Sequence, residues 1–228
     1  MRFDILTLHP DLCRSPLSSS ILGRAQGSGL INVGVHDLRD WAEGKHRTAD
    51  DTPYGGGSGM VMRVDVVDRG IQAISGEGTR VLLMDPVGKP FRQADAQRLT
   101  QYDHLLFVCG HYEGIDARVR DHLVDEVFSI GDFVLTGGEL PAMVIIDSVA
   151  RLLPGVLGNP ESSRTESFAE GLLEAPQYTR PRVYRDWEVP DVLVSGHHGK
   201  IDEWRKQTSR ALTGEIRPDL MDDNAEDD

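Results

Sequence analysis

The chain has 228 residues, 39% hydrophobic and 27% charged, a folded rather than disordered composition with length for one large domain or a medium domain plus a small one. Two cysteines, Cys13 and Cys109, give neither a disulfide framework nor a metal-type spacing, and no apolar run is long enough to span a membrane, so the expected setting is reducing and cytoplasmic. With 24 basic against 37 acidic residues the net charge is −13, which excludes a general nucleic-acid coat while allowing a local basic patch; no DNA partner is expected.

Along the first two thirds, short β-rich runs alternate with helix-like stretches. Met1-Arg2-Phe3-Asp4-Ile5-Leu6 alternates polar and apolar and carries an acid, so it reads as the start of a strand over 3–8, not as a signal peptide. A helix over 18–26 follows, then a strand over 30–35 and a helix over 63–74. The pattern continues with strand 80–84, helix 94–101, strand 105–109, helix 115–123 and strand 126–130. A helix over 141–153 closes it, with Ala142, Ile145, Ile146, Val149 and Leu153 at helical spacing. Several strands are continuous apolar runs, the pattern of strands covered on both faces, and the alternation predicts α/β with a mostly parallel sheet.

From 155 to 181 the texture changes to Gly, Pro, Ser, Glu and Asn with isolated apolar anchors, which reads as a linker or functional loop. Beyond it, Trp187, Trp204 and a helix over 200–213 indicate a small, mainly helical domain. Residues 176–221 hold eight Lys/Arg and seven Asp/Glu, nearly neutral in an acidic chain. Five acids crowd into 222–228, a tail that reads as a solvated terminus. The expected division is 1–157, a linker 158–175, a helical domain 176–221 and the tail 222–228.

Three glycine clusters carry most of the chemical information: Pro53-Tyr54-Gly55-Gly56-Gly57-Ser58-Gly59-Met60, Cys109-Gly110-His111-Tyr112-Glu113-Gly114-Ile115-Asp116, and the string from Ser129 through Gly131, Gly137 and Gly138 to Pro141. Glycine permits positive φ and close approach of backbone to a ligand. The last two clusters follow apolar strands, and ligands of parallel sheets sit outside the strands' carboxyl ends, so the pair predicts one shared cradle; the alternative is tight turns alone. No dinucleotide fingerprint, phosphate-binding loop, nucleophile elbow or zinc-protease motif occurs. A nucleoside-like ligand held by main-chain groups fits best. No histidine pair has metal spacing, so no metal site is expected. His46-Arg47-Thr48-Ala49-Asp50-Asp51-Thr52 is either a solvated loop or a reader of a base edge. Arg151, closing the last long helix, either complements its dipole or projects to an active site.

Taken together, Asp50-Asp51-Thr52-Pro53-Tyr54-Gly55-Gly56-Gly57-Ser58-Gly59-Met60, the strings 109–116 and 129–143, Leu153-Pro154-Gly155-Val156-Leu157-Gly158, Tyr178-Thr179-Arg180-Pro181 and Ser195-Gly196-His197-His198 closely resemble the bacterial tRNA (guanine-37-N1)-methyltransferases of the TrmD type. The resemblance runs from Met1 to about Leu220. It implies a SPOUT-class α/β domain with a deep trefoil knot, a small helical C-terminal domain, a homodimer, S-adenosylmethionine as methyl donor and tRNA as substrate, with methylation at N1 of guanine 37. It says nothing of magnesium. The implied cofactor residues are Pro86, Gly110, Tyr112, Glu113, Gly114, Ile130, Gly131, Asp132, Phe133, Val134, Leu135, Gly137, Gly138 and Pro141. Glu113 is either the partner of the cofactor's cationic end or a cap on the following helix. Guanine N1 must lose a proton and O6 gains negative charge, so the reaction needs a base and an O6 partner; the resemblance implies Glu166 for the first and Arg151 for the second. The family's usual base is an aspartate in Glu-Asp-Ser-Phe, whereas this chain reads Thr165-Glu166-Ser167-Phe168; Glu170 is the alternative base. Asp50, His46, Arg47, Arg180 and His197 are the candidate RNA contacts. The rival readings are a SPOUT methyltransferase for another RNA nucleotide and a noncatalytic RNA-binding protein.

Overall fold

The computed structural model describes residues 1–159, 166–169 and 171–222, which fall into two units, Met1–Gly158 and Asn159–Asp228. In the first, β1 (Arg2–Thr7) leads through α1 (Asp11–Leu17) and α2 (Ser20–Gly27) to β2 (Asn32–Asp37). A 3-10 turn (Leu38–Trp41) and a short hairpin of β3 (Asp50–Asp51) and β4 (Val61–Met62) precede α3 (Val64–Ile74). Then come β5 (Thr79–Pro90), α4 (Gln93–Leu99), β6 (His104–Cys109), α5 (Ala117–His122), β7 (Glu126–Ser129) and α6 (Glu139–Ala150).

Five strands pair in parallel in the order β2-β1-β6-β5-β7. The unit is α/β, as the alternation of apolar runs and helical periods predicts. β6 is buried at every position, because helices cover both sheet faces and successive side chains enter opposite core layers. One layer gathers Phe3, Ile5, Leu82, Leu105 and Phe107 with α6 residues Ala142, Ile145, Ile146 and Val149. The other gathers Leu6, Leu83, Leu106 and Val108 with Val66, Val67 and Ile71 of α3.

Several boundaries differ from the sequence expectation for local reasons. The stretch 18–26 is the second of two helices. The first, α1, holds Pro16, a residue that marks a break when read by propensity alone. β2 starts two residues late because the amides of Leu30 and Ile31 still bond to the Ala25 carbonyl closing α2. α6 starts two residues early: Pro141 is its third residue, inside the first turn, where a missing N–H costs no helical hydrogen bond. β5 is longer than expected. Its register with β7 jumps between Met84 and Lys89, so 85–88 are extruded as a bulge.

After β7 the chain returns across the carboxyl ends of β5 and β6 before entering α6. There the Gly138 amide donates to the Gly110 carbonyl at 2.9 Å, and His111 and Gly137 form an antiparallel bridge.

The second unit is mainly helical. It comprises a hairpin of β8 (Val183–Tyr184) and β9 (Trp187–Glu188), then α7 (Asp191–Val194), α8 (His198–Ile216) and α9 (Asp219–Asp222). Thr213, buried in α8, accepts the Leu173 amide at 2.9 Å and donates to Ser209 O at 2.7 Å, tying the preceding segment to the helix. Thr165, Glu170 and the tail beyond residue 222 lie outside the described residues. Among the described residues no helix is long and apolar enough to cross a membrane.

Candidate functional site

The carboxyl ends of β5, β6 and β7 open on a cavity of about 300 Å³, within the size range of small-molecule sites. The β5 bulge gives it Asp85, Pro86 and Val87. The loop after β6 gives Gly110, His111, Tyr112, Glu113 and Gly114. The loop after β7 gives Ile130, Gly131, Phe133, Val134 and Leu135, followed by Thr136, Gly137, Gly138 and Pro141. Every residue expected from the sequence to meet the cofactor lines this cavity except Asp132, which is exposed and is not part of the lining. Met84, Phe128 and Ser129 complete the walls. Ser129 opens the third glycine cluster, whereas Met84 and Phe128 read in the sequence as ordinary strand residues.

Close packing explains two of the glycines. A Cβ at Gly138 would lie 2.8 Å from Cys109 Cα and 3.0 Å from Met84 Cβ; the Cα belongs to a core strand that cannot yield, so only glycine lets the returning chain cross here. A Cβ at Gly59, whose φ is +79°, would lie 2.4 Å from Glu113 Cγ. The first glycine cluster is thus seated on the second. The Glu113 amide donates to Met60 O at 3.1 Å, the Met62 amide to Gly114 O at 3.0 Å and the Asp116 amide to Met62 O at 3.1 Å. No sequence signal places Gly59 under Glu113, since the link depends on this tertiary ladder.

Glu113 does not cap α5. Asp116 occupies that position and accepts the Arg118 amide at 3.0 Å. Hydrogen bonds from Arg118 hold the Asp116 carboxyl below the ordinary range. The Glu113 carboxylate is therefore available at the cavity wall.

A buried polar pair lies close to the cavity wall. Glu139, at the start of α6, accepts the Thr7 hydroxyl at 2.5 Å, and both residues are buried. The acid at the first helical residue complements the amino end of α6. Burial, reinforced by the Glu139 charge, pushes the Cys13 thiol up to about 11 and the Cys109 thiol well above its ordinary value. Both cysteines are thus neutral packing residues rather than nucleophiles.

The remaining candidates are spread over both units. In the first, Arg151 is the C-cap of α6, its amide bonded to Asp147 O at 3.2 Å. Asp50 lies in β3 opposite Met62. His46 is exposed, and Arg47 takes φ +46° with its guanidinium on Asp40 and on Arg39 O. In the second, Glu166 lines a cavity of about 640 Å³ beside Arg205, Lys206 and Arg210 of α8. Arg180 is exposed at a separate cavity, and His197 precedes α8 with its amide on Ser195 Oγ at 3.2 Å. Among the described residues no group of three or more His, Cys, Asp or Glu is placed to hold a metal ion.

The family model described as tRNA (Guanine-1)-methyltransferase TrmD matches residues 1–223. A tRNA (guanine-N(1)-)-methyltransferase of Brevibacillus brevis is 54% identical over 223 residues, covering 97% of this chain and 92% of that protein. One of the same description from Geobacter sulfurreducens is 53% identical over 223 residues, with 97% and 91% covered. Another from Staphylococcus epidermidis is 51% identical over 223 residues, again with 97% and 91% covered. With a match of this extent over a parallel sheet that carries its glycine loops at the carboxyl ends of the strands, the chain belongs to the tRNA (guanine-1)-methyltransferase family.

Proposed function

We propose that this protein transfers a methyl group from S-adenosylmethionine to N1 of guanine 37 of tRNA, working as a cytoplasmic homodimer. The observation that carries the reading is the cavity of about 300 Å³ walled by three loops, two of them joined by the Gly138–Gly110 hydrogen bond, in a chain of this family.

The cavity suits a nucleoside with a cationic end. Main chain at the half-buried Gly110 and Gly137 on the cavity wall lies within reach of an adenine edge, while Phe128, Val134, Leu135 and Pro141 offer apolar faces. Glu113 supplies a carboxylate for the ammonium or sulfonium end. When bound, the cofactor supplies an electrophilic methyl group. Glu166 takes the guanine N1 proton, and Arg151 meets the negative charge that grows on O6. A positioned base contributes about 10²–10⁴-fold and a donor to a developing oxyanion about 10²–10³-fold. Glutamate carries the same carboxylate chemistry as aspartate on an arm about 1.5 Å longer.

Asp50 reads the neighbouring guanine of the anticodon loop. His46, Arg180 and His197 contact the RNA, as does Arg47 once its pair with Asp40 opens. Leu140 and Val144, one turn apart on α6, and Leu12 on α1 are exposed and support the homodimer, since apolar side chains on a helix surface are candidates for an interface. The return of the chain across the ends of β5 and β6 into α6 supports the trefoil knot of the SPOUT class.

The test uses the protein with labelled S-adenosylmethionine and two tRNAs that differ only at position 37. Methyl incorporation is expected with guanine there and not with adenine. Equal incorporation into both would overturn the assignment.

A further inference from the structure

The β8–β9 hairpin carries exposed aromatic surface that its own fold does not use. Tyr184 and Trp187 are cross-strand partners with ring centroids 5.9 Å apart, and they are 56% and 65% exposed. The two-residue turn between them begins with Arg185 at φ +55°. Its guanidinium lies over both rings, 5.5 Å from the Tyr184 centroid and 5.6 Å from that of Trp187. At the foot of the hairpin, Arg180, Arg182 and Arg205 line a cavity of about 370 Å³ with Tyr178 and Ile201. Arg182 is paired with Asp191 at 2.7 Å. Among the described residues neither Arg180 nor Arg185 forms an ion pair.

We infer that this hairpin is a stacking platform for an unpaired nucleobase of the tRNA, with Arg180 and Arg185 meeting the adjoining phosphates. The inference rests on the tRNA reading above and deepens it. Large aromatic rings left in water lose the burial that would stabilise them in a core. Two such rings, tilted by 52° to one another beside a guanidinium, present exposed π faces with a positive rim, which complement a base attached to a phosphate. Phosphates supply counter-charges for Arg180 and Arg185, whereas a second copy of this chain, itself at −13, is held off by like-charge repulsion.

The experiment measures methyl transfer and tRNA binding by the full-length protein and three variants. Trp187→Leu is expected to raise KM for tRNA about 10- to 100-fold, with kcat at saturating tRNA and the dissociation constant for S-adenosylmethionine both within about 2-fold. Trp187→Phe keeps a π face and is expected to stay within about 3-fold of wild type, which separates stacking from simple support of the hairpin. Arg185→Ala is expected to weaken tRNA binding and flatten its salt dependence by a little under one unit of slope, whereas Trp187→Leu leaves that slope unchanged. An unchanged KM in Trp187→Leu overturns the inference. So does a Phe variant as impaired as the Leu variant, or a change of oligomeric state in place of tRNA affinity. A wild-type protein that methylates no tRNA is a separate failure, that of the underlying reading.

Discussion

The amide of Gly138 and the carbonyl of Gly110 meet at 2.9 Å, and this bond joins the loop after β7 to the loop after β6 across the cavity. The crossing is so close that a methyl group at Gly138 would fall 2.8 Å from Cys109 Cα. Gly138→Ala is therefore expected to force the two loops apart. The expected cost is about 1–3 kcal/mol of stability from overpacking and at least about tenfold in affinity for S-adenosylmethionine. Thermal unfolding and calorimetric titration check the two effects separately.

The proposed function gives Arg151 and Glu166 roles in the chemistry and none in cofactor binding. Arg151→Ala is expected to lower kcat about 10²–10³-fold while S-adenosylmethionine affinity changes no more than a few-fold. Glu166→Gln is expected to lower kcat about 10²–10⁴-fold with KM for tRNA little changed. Single-turnover methyl transfer at saturating tRNA reads both. Loss of cofactor affinity in the Arg151 variant would make that residue a support of α6.

Asp4 provides a test of pH-dependent stability away from the cavity. Its carboxylate is buried in β1, which by itself raises the pKa. Hydrogen bonds from His36 at 2.6 Å, Arg2 at 2.5 Å and His104 at 2.7 Å, with the Arg2 charge, outweigh burial and hold it below the ordinary value. Because the folded-state value is the lower one, the stabilisation is fully present above the unfolded value of about 3.9 and is lost as pH falls through the folded value. Asp4→Asn is expected to cost about 3 kcal/mol at neutral pH and to flatten the decline in melting temperature below about pH 4. Unfolding curves of both proteins across that range measure it.

The sheet was legible because its strands are apolar runs long enough to bury on both faces, as β6 does at every position. Helix α6 was legible from the spacing of Ala142, Ile145, Ile146 and Val149. Helix α1 was not, since Pro16 within seven residues outweighs any periodic signal. The pairing of Asp50 with Met62 and Asp51 with Val61 is too short to leave a period. Most of the cavity was legible in its glycine strings. Pro86 and its neighbours Asp85 and Val87 came from the family resemblance; the bulge that presents them exists only in the register between β5 and β7. The seating of Glu113 on Gly59 was hidden for the same reason: it depends on pairing between distant segments, which no local pattern records.

The most direct test is amide hydrogen exchange with and without S-adenosylmethionine. The account predicts new protection concentrated in residues 85–88, 110–114 and 130–138, the three walls of the cavity. Absent protection at saturating ligand, or protection confined to other segments, would contradict it.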